Sequence, residues 1–464
     1  MPRRAACCAL LLAVLASVAR PQALPVEGSF EGALKTPTGQ SLRLRLHVKR
    51  APDGRLSGAL DSVDQGAFGI PIDEISFADG TLRWTIRRLQ ASFEGKLTEG
   101  GAALDGAFTQ GMAMPLTLRR ADPALASRPA RPQQPKPPFP YRSIDVSFSS
   151  KAEGVTLAGT LTLPEGPGPH PAAILISGSG PQDRDETIMG HKPFLVLADH
   201  LTRRGIAVLR YDDRGFGQSS GDFAAATSVD FSDDAEGALD FLKGRPEIDG
   251  QRIGYLGHSE GGIVAPMVAA RRSEVAFLVL LAGTAVPGAD VMLAQGEAIM
   301  KAMGAPEAAR AQNRQIQQQL FDAVRTTPDP EALEAKATEI LAMLPEQQRT
   351  AQVRQVATPW MRFFITYDPA PVLRRVKCPV LALFGELDTQ VLPGQNAPAL
   401  EQALREAGNK HAEVHRLAGL NHLFQPAKTG TPQEYATIEQ TMDPQALDRI
   451  SRWLRRTAGL ETQP

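Results

Sequence analysis

The feature that most constrains the fold of this chain is an apolar strand that runs directly into the pattern G-x-S-x-G. Residues 253–258 are followed by Ser259 and by the small, helix-permissive residues 260–270. In a strand–turn–helix of this kind, the serine lies on a strained turn and its hydroxyl is exposed at the end of the strand. Glycines two positions before and after the serine leave room for the turn. The pattern therefore predicts that Ser259 is a catalytic nucleophile.

A second match to the same pattern shows that the motif alone is not sufficient. The sequence GQSSG at residues 217–221 also fits, but it follows the charged turn DDRG at residues 212–215 rather than an apolar strand. No helical pattern begins after it. Because a short motif is only a hypothesis until its structural context agrees, we interpret Ser219 as a loop serine.

From residue 141 onward, apolar strands alternate with helix-like stretches, an order typical of a mainly parallel sheet with helices on both faces. A leading β-hairpin is predicted first. The alternation stops at about residues 286–375, which read as helices. Asp329 as N-cap and Pro330 at the first helical position mark one of them. The hairpin comprises residues 143–148 and 155–163, and the later strands comprise residues 172–176, 206–210, 253–256, 277–281, 380–384 and 413–417.

The helical insertion is predicted to cap the carboxyl edge of the sheet, where open α/β sheets bind their ligands. Met361, Phe363, Phe364 and Tyr367 fall near its end. Two interpretations stay open for these side chains: they line a substrate pocket, or they pack the cap onto the sheet.

The acid that a serine nucleophile needs is predicted at the end of a late strand, because the chain order in this class is serine, acid, histidine. Asp388 lies in GELD, residues 385–388, directly after an apolar run. Glu386 competes with it, but the turn between them lets the shorter Asp388 side chain point back to the site. Asp368 falls in the predicted cap and is a poorer choice.

The base is predicted to be His422, in GLNHLF, directly after the last strand. His411 and His415 come before or within that strand, so they are less able to reach its carboxyl end. His258 neighbours the serine on a tight turn, where its side chain points away, and we expect it to shape the turn.

Acyl transfer also needs N–H donors for the oxyanion of the tetrahedral intermediate. We expect the backbone N–H of Glu260, directly after the nucleophile, and that of Ser179, in the loop SGSG at residues 177–180. The Glu260 side chain is interpreted as a helix-start residue. The charged run DRDE at residues 183–186 either contacts a polar substrate or forms a salt-bridged turn, and we favour the turn.

Residues 26–120 are predicted to form a separate all-β domain. Apolar and polar residues alternate strictly at 42–49, and Asp-Gly pairs mark hairpins. We expect an antiparallel sandwich or small barrel of about eight strands. No set of nucleophile, base and acid is recognised there, and His47, on the polar face of its strand, is expected to be solvated. Residues 121–140 contain seven prolines and are predicted to be a semi-rigid linker.

The first 23 residues resemble a secretory signal. Two arginines precede an apolar run at residues 5–19, and cleavage is expected after Ala19 or Ala23. Cys378 would then be the only remaining cysteine, a buried hydrophobe without a disulfide partner. A periplasmic or secreted protein without stable membrane insertion is therefore predicted.

The net charge and the absence of known metal- and phosphate-binding motifs limit the classes of partner that the sequence predicts. The chain has 50 basic and 51 acidic residues, so its net charge indicates no nucleic-acid partner. Neither a zinc-binding spacing nor a phosphate-binding loop is found, and no metal or cofactor is predicted.

Residues 141–464 resemble the α/β-hydrolase superfamily through GSGPQDRDET, YDDRGFGQSSG, GHSEGG, GELDTQV and GLNHLF. More narrowly, the chain is similar to the EstD-like bacterial esterases of the serine aminopeptidase and lysophospholipase-like branch. That likeness includes the β region, through GSFEGAL, DSVDQGAFGIP and GAFTQG. It implies an esterase acting on short acyl esters, with Ser259, Asp388 and His422 at the matching positions. Ser177-Gly178 stands where many relatives have His-Gly.

The expected function is therefore a serine carboxylesterase that works through an acyl-enzyme on a small-molecule ester. A serine peptidase with the same triad is one alternative. A non-catalytic protein is the other, in which the β domain binds a glycan or an envelope partner and the hydrolase domain is degenerate.

Overall fold

The computed structural model describes residues 25–35, 41–51, 54–65, 67–121 and 131–460, and the chain divides into two compact units after Ser127. The predicted signal segment, residues 1–23, lies outside the described residues. So do residues 122–130 of the predicted linker. Each unit has its own apolar core.

The N-terminal unit is an antiparallel sheet whose nine described strands follow the order β4-β3-β2-β1-β9-β8-β7-β6-β5. β4 and β5 lie at opposite ends of that order, yet two residues connect them, so the sheet must curl until its edges meet. Ile72 N donates to Gly58 O of β3, and Asp73 N donates to Thr85 O of β6. The strands are β1 (Gly28–Lys35), β2 (Ser41–Arg50), β3 (Leu56–Ser62), β4 (Ala67–Pro71), β5 (Glu74–Ala78), β6 (Thr81–Ile86), β7 (Ala91–Leu97), β8 (Ala103–Gln110) and β9 (Met112–Arg120).

The prediction of an antiparallel all-β unit is therefore confirmed, with nine described strands rather than about eight. Alternate residues of these strands point inward, the period expected of a half-buried sheet. Trp84 and Phe93 stack inside with ring centroids 5.9 Å apart, and Phe108 meets Trp84 edge-on.

One expectation for this unit was wrong. Ser29 Oγ lies 2.9 Å from His47 Nδ1, and His47 Nε2 lies 2.7 Å from Asp61 Oδ2, so a hydrogen-bonded serine–histidine–aspartate set does exist here. The register of β1, β2 and β3 puts the three side chains on one face of the sheet. His47 is thus a partnered residue rather than a solvated one.

The C-terminal unit contains an eight-stranded sheet in the order β10-β11-β13-β12-β14-β15-β16-β17. The hairpin β10–β11 and the β11–β13 pair are antiparallel, and the remaining pairs are parallel. The predicted hairpin and six later strands are thus confirmed. The strands are β10 (Arg142–Ser149), β11 (Thr156–Leu163), β12 (His170–Ile176), β13 (Ala207–Tyr211), β14 (Ile248–His258), β15 (Leu278–Leu281), β16 (Val380–Gly385) and β17 (Ala412–Leu417).

Helices cover this sheet, and six of them form the insertion between β15 and β16. Asp329 accepts a hydrogen bond from Ala332 N at 2.8 Å, which confirms the predicted N-cap of α6. The helices are α1 (Pro193–Thr202), α2 (Ser228–Lys243), α3 (Gly261–Ala269), α4 (Gly288–Ala302), α5 (Glu307–Thr326), α6 (Pro330–Ile340), α7 (Glu346–Ala357), α8 (Pro359–Thr366), α9 (Ala370–Leu373), α10 (Pro393–Glu406) and α11 (Pro444–Thr457).

The second half of the predicted linker, residues 131–140, is hydrogen-bonded to the C-terminal unit. Arg131 donates to Ile438 O at 2.6 Å, and Gln133 Oε1 accepts from Thr441 N at 2.6 Å. These bonds satisfy backbone groups of the segment that follows β17. This strap, residues 131–134, therefore belongs to the C-terminal unit.

Two further observations bear on predictions made above. Cys378 is half-buried against the core and has no disulfide, and burial raises the pKa of its thiol to about 12. Among the helices that the structure describes, none has the length and apolarity needed to cross a bilayer.

Candidate active site

Ser259 lies on the sharp turn between β14 and α3, as the sequence predicts. Its φ is +52°, a left-handed conformation that is uncommon for a residue with a side chain and is frequent at functional turns. Its N–H donates to Leu281 O at 2.8 Å. A Cβ at Gly257 would lie 2.0 Å from Gly261 O, so glycine is required where the strand meets the helix.

Asp388 and His422 are brought together at the carboxyl ends of β16 and β17. His422 Nδ1 lies 2.8 Å from Asp388 Oδ2, and both side chains are buried. Asp388 Oδ1 accepts the N–H groups of Gln390 and Val391, which fixes the carboxylate in one orientation. Because a carboxylate only accepts, the Nδ1 atom carries the proton and Nε2 is left as a base.

The loop that carries His422 approaches β16 closely because residue 385 is glycine. A Cβ there would lie 2.4 Å from Leu420 O. Glu386, the competing acid, is exposed, as is Asp368 in the insertion. The structure therefore pairs His422 with Asp388 rather than with either competitor.

The histidine loop also meets the nucleophile turn. His258 Nε2 lies 3.1 Å from the carbonyl oxygen of His422, and the two rings are 4.7 Å apart. Among the residues described, no hydrogen bond joins the Ser259 hydroxyl to His422. Such contacts are often long in unliganded enzymes and tighten only when substrate binds.

The two predicted oxyanion donors are free to bind. Within the described ranges, the N–H groups of Ser179 and Glu260 donate to no protein acceptor. Gly178 N, by contrast, donates to Glu186 Oε1 at 2.8 Å. A Cβ at Gly178 would lie 3.2 Å from Ser259 Cβ, which places this loop directly against Ser259.

The side chain of Ser177 is held in place by a hydrogen bond to the DDRG turn. Its hydroxyl donates to Asp213 Oδ1 at 2.9 Å, and Gln182 N donates to the other carboxylate oxygen at 2.9 Å. Burial raises the pKa of Asp213 well above its ordinary value. The DDRG turn thereby fixes both ends of the oxyanion loop.

The Glu260 side chain has a role that the sequence did not indicate. It is buried, and its Oε1 accepts from Ser228 Oγ at 2.6 Å and from Trp360 Nε1 at 2.7 Å. Burial raises the pKa of Glu260. Trp360 belongs to α8, so this carboxyl connects the insertion to the residue that follows Ser259.

The DRDE run is a salt-bridged turn, as favoured from the sequence. Arg184 pairs with Asp212 at 2.8 Å, and Asp185 pairs with Arg210. Glu186 differs, because it turns inward to His258 at 2.7 Å. No local sequence pattern predicts that contact, since 72 residues separate the two.

The other candidate residues make packing or hydrogen-bond contacts within the fold. Ser219 Oγ donates to Asp212 O at 2.7 Å and accepts from Ala158 N, which confirms a loop serine. Met361 lies within the apolar core of the insertion, and Phe364 packs against Ile263 of α3. Phe363 and Tyr367 stack on one another, with ring centroids 5.0 Å apart. In the part of the chain that the structure describes, no cluster of His, Cys, Asp or Glu could hold a metal ion.

Comparison with known proteins gives a consistent family. Residues 192–425, half of the chain, match the family described as "Serine aminopeptidase, S33". Esterase EstD of Thermotoga maritima is 30% identical over 312 residues, covering 66% of this chain and 68% of EstD. An uncharacterised 31.7 kDa protein from the traX-finO intergenic region of Escherichia coli is 24% identical over 261 residues, covering 54% of this chain and 84% of that protein.

Solved structures align less closely. The esterase Pf2001 of Pyrococcus furiosus gives a TM-score of 0.42 at 16% identity and covers 68% of this chain and 90% of its own. The assignment to a family rests on the family match over half of the chain and on the 30% identity to EstD. The chain therefore belongs to the serine aminopeptidase S33 family of α/β-hydrolases and is a hydrolase with an EstD-like esterase among its relatives.

Proposed function

We propose that the protein is a serine carboxylesterase that hydrolyses short-chain acyl esters through an acyl-enzyme, with Ser259, His422 and Asp388 as its triad. The observation that carries the proposal is the buried 2.8 Å pair of His422 Nδ1 and Asp388 Oδ2 beside the strained turn of Ser259. A serine hydroxyl becomes a nucleophile when a base with a fixed tautomer removes its proton.

Acylation would begin when Ser259 Oγ attacks the ester carbonyl carbon and His422 Nε2 takes the serine proton. The oxyanion would accept hydrogen bonds from the free N–H groups of Ser179 and Glu260. Collapse of the tetrahedral intermediate breaks the carbon–oxygen bond to the alcohol, and His422 returns the proton to that leaving group. Asp388 stabilises the imidazolium formed in between.

Deacylation would repeat these steps with water as the nucleophile. His422 Nε2 removes a proton from water, hydroxide attacks the acyl carbon, and the proton returns to Ser259 as the carboxylic acid leaves. No metal or redox group is needed for either half-reaction.

Ester rather than amide substrates are favoured by the relationship to EstD, whereas the family description favours aminopeptidase substrates. Amide cleavage makes a stronger demand on His422, which must protonate a poorer leaving group. We expect kcat/KM to be highest for p-nitrophenyl acetate or butyrate, to fall with longer acyl chains, and to be much lower for amino-acid anilides. Preferential anilide turnover would identify a peptidase instead.

Labelling of the native protein by a fluorophosphonate probe tests the nucleophile directly. We expect one covalent adduct, on Ser259, because the probe reports an activated serine. An intact protein that is neither labelled nor active on any ester would support the non-catalytic alternative.

We also propose that the protein is exported to the periplasm or secreted, on the basis of its N-terminal segment. Expression of the full chain followed by N-terminal sequencing of the mature protein tests this. A mature chain that begins at Arg20 or Leu24 is expected, whereas an intact Met1 on cytoplasmic protein would contradict export.

A further inference from the structure

His258, the residue before the nucleophile, is buried with both ring nitrogens in contact with oxygen atoms. Nδ1 lies 2.7 Å from Glu186 Oε1, and Nε2 lies 3.1 Å from the backbone carbonyl of His422. Side-chain exposure is 8% for His258 and 4% for Glu186, so water does not compete for these contacts. The mechanism proposed above uses neither side chain.

The identity of the two acceptors fixes the protons on the ring. A backbone carbonyl cannot donate, so Nε2 must carry a hydrogen to bond with His422 O. The remaining contact, between Nδ1 and the carboxyl group, also requires one proton. An imidazole ordinarily binds a proton more tightly than a carboxylate does, so that proton lies on Nδ1 and the ring is an imidazolium.

We propose that Glu186 and His258 form a buried carboxylate–imidazolium pair that positions the oxyanion loop and the His422 loop around Ser259. The inference rests on the proposed esterase function for its catalytic consequence. Both members of the pair are positioning residues, because they act through Gly178 and His422 rather than on the substrate.

The pair connects three segments that are distant in sequence. Glu186 Oε1 accepts from Gly178 N at 2.8 Å, which aligns the loop that presents Ser179 N–H. His258 is covalently attached to Ser259, and its Nε2–H holds the carbonyl of His422. One side-chain pair therefore contacts the oxyanion loop, the nucleophile turn and the base loop.

The surroundings of His258 are consistent with a charged ring held by one counter-ion. Burial lowers its pKa, but the charge of Glu186 and the hydrogen bonds to Glu186 and His422 more than offset this, so the pKa is raised. The titratable groups that face it are Glu186, His422 and, farther away, Asp388. A small cavity that His258 and Glu186 also line is otherwise apolar, with Pro193, Phe194, Leu281, Leu423, Phe424 and Met442 around it.

Glu186 itself has φ +52°, a conformation that an ordinary side chain rarely adopts. Surrounding contacts must hold the backbone there. The Asp185–Arg210 ion pair precedes it, and Glu186 N donates to Asp183 O at 2.8 Å. The turn is therefore built to deliver this carboxylate inward.

Nitrogen-15 NMR of the histidine-labelled full chain tests the protonation state without reference to activity. The chain has eight histidines, and His258 is assigned by the signal missing in His258→Asn. At pH 8 an ordinary histidine, with a pKa of about 6.5, is neutral. We expect His258 alone among the buried histidines to show two protonated ring nitrogens, and a neutral ring would overturn the proposal.

Glu186→Gln tests the positioning role, because the amide oxygen can still accept from Gly178 N while the counter-charge is lost. Imprecise placement of reacting groups costs on the order of 10²-fold in rate. We expect kcat for p-nitrophenyl acetate to fall by about that factor with KM changed less than about threefold, and the NMR signal of a neutral His258 to appear. Glu386→Gln, the same substitution at an exposed site, is the matched control and should retain wild-type kcat.

The outcomes separate this inference from the proposed function. A wild-type protein without ester turnover or fluorophosphonate labelling would defeat the esterase proposal, while the NMR result would still decide the charge on His258. If the wild type is active and folded Glu186→Gln has the same kcat, only the positioning role is contradicted, and the esterase proposal stands. Should Glu186→Gln not fold, the wild-type spectrum still decides the charge on His258, and a wild-type kcat in folded His258→Asn would defeat the positioning role.

Discussion

The described residues include two sets of serine, histidine and aspartate, one in each unit. In the β unit all three side chains are joined by hydrogen bonds, whereas in the C-terminal unit the bond joins only His422 to Asp388. Ser29, His47 and Asp61 lie across three neighbouring antiparallel strands of the β unit. The set in the C-terminal unit lies at the carboxyl ends of parallel strands, where the chain must turn. The same three residue types therefore occur in two very different backbone settings.

The two settings differ in what surrounds the serine. Ser29 is on β1, which lies between β2 and β9, so backbone N–H groups near it are used in the sheet. Ser259 has φ +52° and lies beside two N–H groups that have no protein acceptor within the described residues. Among the described residues, the β-unit set therefore lacks the pair of unbonded N–H groups that lies beside Ser259.

Under the proposed function, free backbone donors, more than the side-chain triad, distinguish the proposed esterase site from a structural hydrogen-bond chain. Preorganised donors aimed at developing charge are usually the largest contribution to acyl-transfer catalysis. The predictions below test that distinction.

The largest difference in activity is expected between substitutions of Ser259 and of Ser29. Ser259→Ala should reduce kcat for p-nitrophenyl acetate by about 10⁶-fold, because nothing else can form the acyl-enzyme. Ser29→Ala should leave kcat/KM at the wild-type value. Steady-state assays of both purified variants make the test, and ester turnover that survives in Ser259→Ala would show that the wrong serine has been assigned.

Substitutions of Asp388 and of Asp61 should differ almost as much in their effect on kcat. Asp388→Asn is expected to lower kcat by about 10⁴-fold, because the amide would favour the wrong tautomer of His422. The pH–rate profile and kcat of this variant should be compared with those of Asp61→Asn, which should keep wild-type activity. Equal losses in the two variants would remove the functional distinction between the units.

The histidine of the β unit should matter for stability and not for rate. His47→Ala removes one partner of the buried Asp61 carboxylate, which also accepts from Gly69 N. Leaving a buried polar group with fewer partners costs about 1–3 kcal/mol. Hydrogen exchange of β2 and β3 amides in the full chain should accelerate accordingly, with kcat unchanged. A fall in kcat without faster exchange would contradict a structural role.

A methyl group added at Gly178, in the predicted oxyanion loop, should reduce kcat moderately. A Cβ at Gly178 would lie 3.2 Å from Ser259 Cβ, so Gly178→Ala must displace the loop by a few tenths of an ångström. We expect kcat to fall by about tenfold at constant KM, since small misplacements are costly in a preorganised site. Gly250→Ala is the control, because a Cβ there meets nothing within 4 Å and, as at Gly178, φ is not in the left-handed region.

The smallest effect is expected at Glu260. Its pKa is raised by burial, and glutamine would keep the oxygen that accepts from Ser228 and Trp360. A carboxyl with a raised folded-state pKa contributes stability that is full below its unfolded pKa and is lost as pH rises. Glu260→Gln should therefore stay within about twofold of wild-type kcat/KM. Its Tm should match wild type below about pH 4.5 and should exceed it as pH rises above that value.

Local patterns were sufficient to predict the elements and the serine turn. The apolar run before Ser259, its flanking glycines and the glycine-ended strand before Asp388 each determine nearby backbone geometry. Chain order then placed His422 after the last strand. These features depend on short-range sterics and on hydrophobic periodicity, both of which are visible within about ten residues.

Contacts that depend on tertiary register were missed. Ser29, His47 and Asp61 meet only because three strands pair in one register, which alternation within a single strand does not reveal. The Trp360–Glu260 bond joins residues 100 apart in sequence. The proline-rich segment predicted a linker by composition, but the side chains of Arg131 and Gln133 decide where its second half lies.

The strap has a consequence for protein engineering. Because Arg131 and Gln133 satisfy backbone groups after β17, a hydrolase separated at residue 140 would expose those groups to solvent. A graft point upstream of residue 131 would retain them. Exchanging the amino-terminal module for another should therefore be tolerated only when the strap is inherited together with the enzyme.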